Sequence, residues 1–240
     1  MKGVDISHYQ KGLTIRQIRE AGGSFAIIKL TEGTWLKDSA AFGFYREAYE
    51  TGFPVGGYCY SHALTAEDAR SEAAFVLDTI RHFPMPCGIY LDVEEPKQLA
   101  LPPERLGAIV SAWCGAIREA GYVPGVYGSE YGVWTKLDPD RLPDGCLVWV
   151  AHYGREPDIP CDLWQTSDSG CIDGIAVDTD AVRSERFRAL AEQDFRLPVP
   201  AGSAAPASGA DVLAALTAYL QTPAFKQEFR NYMERTGVTQ

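Results

Sequence analysis

The sequence predicts an α/β protein built as an irregular (β/α) barrel, in which the first five strands are followed by helices and the last three largely are not. Short apolar runs alternate with helical patterns through the first half of the 240 residues. After residue 136, three strand-like runs follow one another across connections too short and too polar for full helices. An open doubly wound sheet is the alternative, but it predicts a glycine-rich phosphate loop after an early strand, and the sequence has none.

The first half of the chain pairs each strand with a helix. Gly52 and Gly121 follow two apolar periodic runs and predict helix ends. Thr65, with Asp68 three residues on, predicts a helix start. The expected strands cover residues 3–7, 24–30, 54–60, 87–95, 122–127, 146–151, 163–166 and 175–178. The expected helices cover residues 14–21, 38–50, 65–82, 102–120, 129–136 and 184–193.

The bulk composition argues against two classes of protein. With 22 Lys and Arg against 32 Asp and Glu, the net charge of −10 disfavours nucleic-acid binding, which needs a basic face. No apolar run is long enough to span a bilayer, so no membrane partner is expected. The six cysteines are scattered, without C-x-x-C or a neighbouring His cluster. We therefore expect free buried thiols, no metal site and no other cofactor.

The rest of the sequence is interpreted around one stretch, Cys87-Gly88-Ile89-Tyr90-Leu91-Asp92-Val93-Glu94-Glu95-Pro96. Residues two apart on a strand face the same side, so Asp92 and Glu94 project together with Tyr90 behind them. Neighbouring carboxylates that lose water repel each other, and this pushes one pKa above the other. Glycosidic cleavage needs that difference, because one group donates a proton while the other stays ionised. A solvated or ion-paired strand mouth explains the pair equally well.

Polar and aromatic residues recur at the ends of the other expected strands. In a barrel of parallel strands the C-terminal ends meet at one mouth, where active sites lie. Rings stack on apolar sugar faces and carboxylates accept from hydroxyls, so this combination favours a carbohydrate site, although any single ring is more often packing. The residues expected around Asp92 and Glu94 are Asp5 and Asp178 as further acids, and Glu32, Tyr58, Tyr60, Tyr127, Trp149, His152, Tyr153 and Gln165 as cavity or binding residues.

Eight short pieces of the sequence form an ordered pattern. They are Gly3-Val4-Asp5-Ile6-Ser7, Ile28-Lys29-Leu30-Thr31-Glu32-Gly33, Val55-Gly56-Gly57-Tyr58, Asp92-Val93-Glu94, Gly125-Val126-Tyr127, Leu147-Val148-Trp149-Val150-Ala151, Leu163-Trp164-Gln165-Thr166 and Val177-Asp178-Thr179-Asp180. In this order, over roughly residues 1–190, they resemble the muramidases of glycoside hydrolase family 25, many of which are phage endolysins. One D-x-E piece occurs widely by chance, whereas eight pieces in the right order are a strong match.

The resemblance implies cleavage of the β-1,4 bond between N-acetylmuramic acid and N-acetylglucosamine in peptidoglycan. It implies that Glu94 is the general acid and that Asp92 orients or stabilises the substrate's acetamido group as this group attacks the anomeric carbon. Asp5 and Asp178 complete the acidic cluster. The sequence leaves a second mechanism open, in which Asp92 activates a water for inversion.

Two departures and two rival functions accompany the resemblance. The family often has His where this chain has Cys59, and Asn where it has Asp180, so either Asp178 or Asp180 could face the site. A chitinase-like glycosidase is weaker, because its D-x-x-D-x-D-x-E pattern requires acids where this chain has Tyr90 and Cys87. A barrel that only binds cell-wall glycan has no need for a crowded pair of buried acids.

The composition changes near residue 194. We expect a catalytic barrel over residues 1–194, a Pro/Ala/Ser/Gly linker over 195–210 and a small helical segment over 211–240. Helices this short cannot fold alone, so we expect the segment to self-associate, with binding to the cell wall as a secondary use. The alternative is a disordered or loosely docked extension. Met1-Lys2-Gly3-Val4-Asp5 is not a signal peptide. We therefore expect synthesis in the cytoplasm and action on the bacterial cell wall after release.

Overall fold

The computed structural model describes residues 1–80 and 83–193. The expected linker and helical segment of residues 195–240 lie outside the described residues, as do residues 81 and 82 at the end of the third expected helix. The strands are β1 Lys2–Ile6, β2 Ala26–Glu32, β3 Leu36–Lys37, β4 Val55–Tyr60, β5 Ile89–Asp92, β6 Pro124–Ser129, β7 Leu147–Ala151, β8 Leu163–Ile172 and β9 Ile175–Val182.

Eight of these strands close into a barrel. Their neighbour order is β1-β9-β8-β7-β6-β5-β4-β2, and β2 pairs in parallel with β1 to complete the ring. The two-residue β3, which the sequence did not predict, pairs antiparallel with β2 outside the ring. The predicted barrel is confirmed, and the open doubly wound sheet is excluded.

Helices cover the outside of the first half of the barrel. They are α1 Ile15–Glu20, α2 Ala41–Thr51, α3 Ala66–Ile80, α4 Pro96–Leu99, α5 Pro103–Glu119 and, near the end of the described residues, α6 Glu185–Ala191. At the start of α3, Asp68 accepts from the Thr65 N–H and the Thr65 hydroxyl accepts from the Asp68 N–H, as predicted. Gly52 adopts φ +62° and caps α2.

The helix expected at residues 129–136 is a single 3-10 turn, Val133–Thr135. Gly132 lies inside the expected helix, where glycine disfavours helix formation, and Pro139 and Pro143 prevent a helix from extending further along the segment. The fifth strand of the ring is therefore followed by a turn, and the helix-backed part of the barrel is shorter than the sequence predicts.

Strand alternation separates an outer from an inner core. On β5, Ile89 and Leu91 pack outward under the helices, whereas Tyr90 and Asp92 face the barrel interior. Large aromatic side chains fill the interior below the mouth, and small residues must lie opposite them. A Cβ on Gly125 would lie 2.3 Å from the Tyr90 ring, so only glycine fits opposite it.

The last two strands differ most from the prediction. β8 and β9 form a long hairpin joined by Asp173 and Gly174, with φ +49° and +82°, a two-residue turn that needs left-handed backbone. β9 runs antiparallel to both β8 and β1. Asp178 therefore pairs with Asp5 from the middle of an antiparallel strand, rather than following the C-terminal end of a parallel one.

None of the helices in the described residues is both long enough and apolar enough to cross a membrane.

Candidate active site

A cavity open to solvent lies at the mouth where the parallel strands end. The structure brings together all four predicted catalytic acids and four of the predicted binding residues. The lining consists of Asp5, Tyr58, Asp92, Glu94, Tyr127, Trp149, Gln165 and Asp178.

The acids lie at different depths in this cavity. Asp92 ends β5 and is only 3% exposed, and Asp5 on β1 is 8% exposed. Glu94, two residues beyond Asp92, is exposed, and Asp178 on β9 is half-buried. A substrate entering the mouth therefore meets Glu94 and Asp178 first.

Burial and mutual repulsion raise the pKa of every one of these acids. Loss of water is the main cause for Asp92, followed by the charges of Glu94 and Asp5, and its pKa lies well above the ordinary value. Burial, then the charge of Asp178, raises the pKa of Glu94 and of Asp5. For Asp178 the causes are burial and a carboxylate on β8. The cluster therefore retains protons that isolated carboxyls would lose, and it can hold a proton donor beside an ionised partner.

Gln165 on β8 connects the acids to two tyrosines. Its Oε1 accepts from the hydroxyls of Tyr127 (2.8 Å) and Tyr153 (2.7 Å). Its Nε2 donates to Oδ2 of Asp5 (2.8 Å) and, more weakly, to Oδ2 of Asp178 (3.3 Å). Because both hydroxyls donate to the amide oxygen, the amide nitrogen must face the acids.

Trp149 on β7 forms the floor of the cavity. Its ring centroid lies 4.4 Å from that of Tyr127, 5.2 Å from Tyr90 and 6.3 Å from Tyr58. The last two contacts are edge-on, the geometry that aromatic rings prefer. Its indole Nε1 donates to Oδ1 of Asp180 at 2.8 Å.

Asp178 and Asp180 occupy different positions, which the sequence left undecided. Both face the barrel interior, because they are two residues apart on β9. Asp178 lines the cavity, whereas Asp180 is 2% exposed and lies beneath it against Trp149.

Asp92 has an unused acceptor. Its Oδ1 is buried and accepts no hydrogen bond from any described residue. Because this oxygen is enclosed by protein, a bound molecule reaches the Asp92 carboxyl only through the part of it that lines the cavity.

Three predicted binding residues lie beside the cavity rather than in its lining. Glu32 accepts from Lys29 Nζ at 2.8 Å, and this contact lowers the pKa of Glu32. The ammonium of Lys29 in turn lies 5.3 Å from the centre of the Tyr60 ring. Tyr153 reaches the site through the hydroxyl that it donates to Gln165.

His152, also predicted in the cavity, lies outside its lining. Its Nδ1 contacts the buried carboxylate of Glu130, and its ring lies 5.3 Å from that of Tyr131. The second oxygen of Glu130 accepts from the N–H of Asp158 at 2.7 Å. His152 therefore anchors the loop that follows β7 and that carries Tyr153.

Sequence reasoning missed Trp35, His62 and Glu95, which join the predicted Glu32 at the rim beside β2 and β4. We call these four residues the Trp35 rim. The His62 ring lies between the two carboxylates, 3.3 Å from Glu32 Oε1 and 3.5 Å from Glu95 Oε2. Trp35 is 63% exposed, with its ring 4.8 Å from that of His62. An exposed tryptophan beside polar groups suits a sugar face. No pattern in the sequence distinguishes Trp35 from an ordinary loop residue.

The described residues include no group of three or more His, Cys, Asp or Glu side chains arranged to hold a metal ion. The cysteines are free, and four are buried as expected: Cys59, Cys87, Cys114 and Cys146. The expectation of burial is wrong for Cys171, which is exposed on the β8–β9 hairpin, and Cys161 is only half-buried.

Comparison with known proteins identifies the family of this chain. The family model described as glycosyl hydrolases family 25 matches residues 4–175. The chain is 30% identical over 183 residues to the autolytic lysozyme of Clostridium acetobutylicum, and the match covers 75% of this chain and 54% of that protein. It is 39% identical over 199 residues to lysozyme M1 of Streptomyces globisporus, covering 75% of this chain and 66% of the relative. The chain thus spans between about half and two thirds of these curated relatives.

A solved structure has the same fold. The catalytic domain of endolysin ply40, from bacteriophage P40 of Listeria monocytogenes, is 25% identical and superimposes with a TM-score of 0.68. The match covers 80% of this chain and 97% of that domain.

Proposed function

The chain belongs to the glycosyl hydrolases of family 25, and on that premise we propose that it cleaves the β-1,4 bond between N-acetylmuramic acid and N-acetylglucosamine in bacterial peptidoglycan. The observation that carries the proposal is the acid cluster of one exposed and three less accessible carboxyls at a single aromatic-lined mouth. The names of the relatives, autolytic lysozyme and phage endolysin, support action on the bacterial cell wall at lysis.

Glu94 is the general acid in this proposal. Its carboxyl is exposed at the mouth, where it can reach a glycosidic oxygen. Burial and the charge of Asp178 raise its pKa, so it holds a proton at a higher pH than a free glutamate. Donation of that proton to the leaving oxygen lets the glycosidic bond break without forming an alkoxide.

Asp92 assists the substrate's 2-acetamido group. The Asp92 carboxyl lines the cavity, and an acceptor there is matched by the acetamido N–H, a donor on both sugars of the repeat. Accepting this N–H would orient the acetamido carbonyl oxygen toward the anomeric carbon.

The remaining lining residues hold the sugar. Tyr58, Tyr127 and Trp149 offer ring surface around the cleavage point. Asp5 and Asp178, joined by the Gln165 amide, accept from sugar hydroxyls and keep negative potential near the developing cation. Beside the cavity, Tyr60, Tyr153, Glu32 and the exposed Trp35 are positioned to contact the neighbouring sugars of the glycan strand.

Mass spectrometry of the muropeptides released from purified cell walls tests the reaction. The expected products end in a reducing N-acetylmuramic acid. Products that end in a reducing N-acetylglucosamine, or free peptides, would refute the proposed bond.

The stereochemistry of the first product distinguishes the two mechanisms for Asp92. Assistance by the acetamido group gives net retention, whereas activation of a water by Asp92 gives inversion. NMR of the anomeric proton, recorded before mutarotation, separates the two outcomes on a soluble glycan fragment.

Catalytically silent glycan binding and a chitinase-like reaction remain the alternatives. A silent barrel would bind walls without releasing any reducing ends. A chitinase-like enzyme would cut N-acetylglucosamine oligomers that lack the lactyl group, at a rate comparable with that on peptidoglycan. We expect release of reducing ends from peptidoglycan and little action on chitin oligomers.

A further inference from the structure

Asp180 is a buried acid that the proposed chemistry does not use. It lies on β9 opposite Gly3 of β1 and is 2% exposed. Its Oδ1 accepts the indole N–H of Trp149 at 2.8 Å. Its Oδ2 is also buried, yet accepts no hydrogen bond from the part of the chain that the structure describes. An ionised carboxylate with one oxygen left without a donor is costly in such a place.

The acid beside Asp180 across the β1–β9 pairing is Asp5, which pairs with Asp178 and therefore lies diagonally next to Asp180 on the same face of the sheet. Two ionised carboxylates would repel each other here, so the pair must share a proton. The other titratable groups that face Asp180 are Asp178, on the same strand, and the Tyr90 hydroxyl on β5. These neighbours supply no positive charge that could offset a second carboxylate.

Asp5 is the better of the two to carry the negative charge. It is less deeply buried, opens into the cavity, and already accepts the Gln165 Nε2 donor at 2.8 Å. A neutral acid at Asp180 satisfies both of its own oxygens, because the carbonyl accepts from Trp149 and the hydroxyl donates to Asp5.

We propose that Asp180 is held as a neutral carboxylic acid that donates its proton in a hydrogen bond to Asp5, and so acts as a positioning residue for the acid cluster. Asparagine presents the same pair of groups, a carbonyl oxygen and an N–H donor, in nearly the same shape. Asp180 therefore offers one acceptor and one donor, as an amide side chain would, and it offers the donor only while it keeps its proton. The raised pKa of Asp180, caused mainly by burial and then by the charge of Asp5, agrees with this assignment.

The first test compares Asp180→Asn with Asp180→Ala in the full-length protein. The asparagine variant keeps the donor and should retain wall-clearing activity within about threefold of wild type, whereas the alanine variant should lose at least about tenfold, mostly in kcat, because Asp5 is left without the donor. A merely structural role would not distinguish the two by kcat. This arm rests on the proposed function, since it uses catalysis as its readout.

The second test measures the proton itself and does not depend on any reaction. Because the folded-state pKa is raised above the unfolded value of 3.8, the stability due to this proton is complete below about pH 4 and is lost as pH rises toward the folded pKa. In that window the unfolding equilibrium constant of wild type should rise about tenfold more per pH unit than that of Asp180→Asn. The exposed Asp173→Asn, at the hairpin turn, is the control and should leave the wild-type slope unchanged.

Equal slopes for wild type and Asp180→Asn would overturn the proposal, as would an asparagine variant as impaired in kcat as the alanine variant. If the alanine variant does not fold, the slope comparison between wild type and Asp180→Asn still decides. If wild type fails to cut peptidoglycan, the proposed function is wrong, and the slope comparison still decides the proton on Asp180.

Discussion

The two parts of the barrel are stabilised in different ways. In the helix-backed part, residues 1–123, the outer faces of the strands lie under helices, and side chains such as Trp113 on α5 are fully buried. In the hairpin part, residues 146–182, the outer side chains of β8 are half-exposed, among them Trp164 and Thr166. Hydrogen bonds replace apolar cover there: Trp164 Nε1 donates to the His152 carbonyl at 2.7 Å, and Thr166 Oγ1 bonds to Thr179 across the hairpin.

The active site joins the two parts. Asp92 and Glu94 come from the helix-backed part, whereas Gln165 and Asp178 come from the hairpin part. Apolar packing in the helix-backed part and hydrogen bonds in the hairpin part thus both hold the side chains of the site in one orientation. Substitutions in the two parts should therefore fail in different ways.

The largest effect is expected for Glu94→Gln, which keeps the shape of the side chain but has no proton to donate. Loss of general acid catalysis should lower the rate of turbidity loss by about 10²–10⁴-fold while wall binding persists. Asp92→Asn should be similarly damaging. Glu95→Gln is the matched control, because Glu95 is absent from the cavity lining and contacts His62. A Glu94→Gln variant that clears cells at more than about a tenth of the wild-type rate would exclude Glu94 as the acid.

Next in size is the difference in stability between two tryptophan truncations. Trp113→Ala removes a fully buried ring from the helix-backed part and should cost about 3–5 kcal/mol of unfolding free energy. Trp164→Ala removes a half-exposed ring from the hairpin part and should cost less than about 2 kcal/mol. Urea unfolding monitored by circular dichroism measures both. Equal losses would mean that the hairpin part depends on packing as much as the other does.

A smaller effect tests the electrostatic interaction between Asp178 and Glu94, which belong to different parts of the barrel. The charge of Asp178, in the hairpin part, raises the pKa of Glu94 in the other. Asp178→Asn removes that charge, so Glu94 should lose its proton at lower pH. The alkaline limb of kcat/KM for the residual activity should then move to lower pH. Asp173→Asn, also on the hairpin but exposed at its turn, should leave the limb in place. A limb that moves to higher pH, or not at all, contradicts this interaction.

The smallest effect on the barrel is expected from removing everything after Asp194. The eight-strand ring closes within the described residues, so the shortened protein should fold and cut purified glycan as the full chain does. We propose that residues 211–240 drive self-association. Light scattering should therefore show the full chain above monomer mass and the shortened one at monomer mass. A monomeric full chain would refute association, and loss of wall binding on truncation would instead make the segment an anchor.

The sequence predicted the helix-backed part better than the hairpin part, for physical reasons. An apolar run that ends in acids, as at Asp92 and Glu94, identifies both a buried strand and the end of that strand at the mouth of the barrel. The polar residues from Thr166 to Asp173 hide the continuation of β8, because a solvated hairpin needs no apolar pattern. Side chains alternate between the two faces in parallel and antiparallel strands alike, so the sequence did not predict that β9 runs antiparallel.

Among the predicted site residues, most of those on strands line the cavity, whereas residues placed by loop geometry were missed or misplaced. Tyr127 and Trp149 follow from alternation on β6 and β7. Trp35 was missed because its position depends on a hairpin of two-residue β3 with β2, which propensity does not indicate. His152 was placed in the cavity because it follows β7, whereas the buried Glu130, which turns it away, cannot be paired with it from sequence alone.

The closing seam of the barrel also bears on the order in which the candidate site is assembled. β1 and β9 are the first and last strands of the ring, and Asp5 faces Asp178 across their pairing. Contacts this distant in sequence form late, and a growing chain folds from its N-terminal end. Until residues 175–182 have left the ribosome, β1 has β2 on one side and an open edge on the other. A chain still being synthesised therefore has an incomplete acid cluster, and the proposed hydrolysis requires the last strand to be in place.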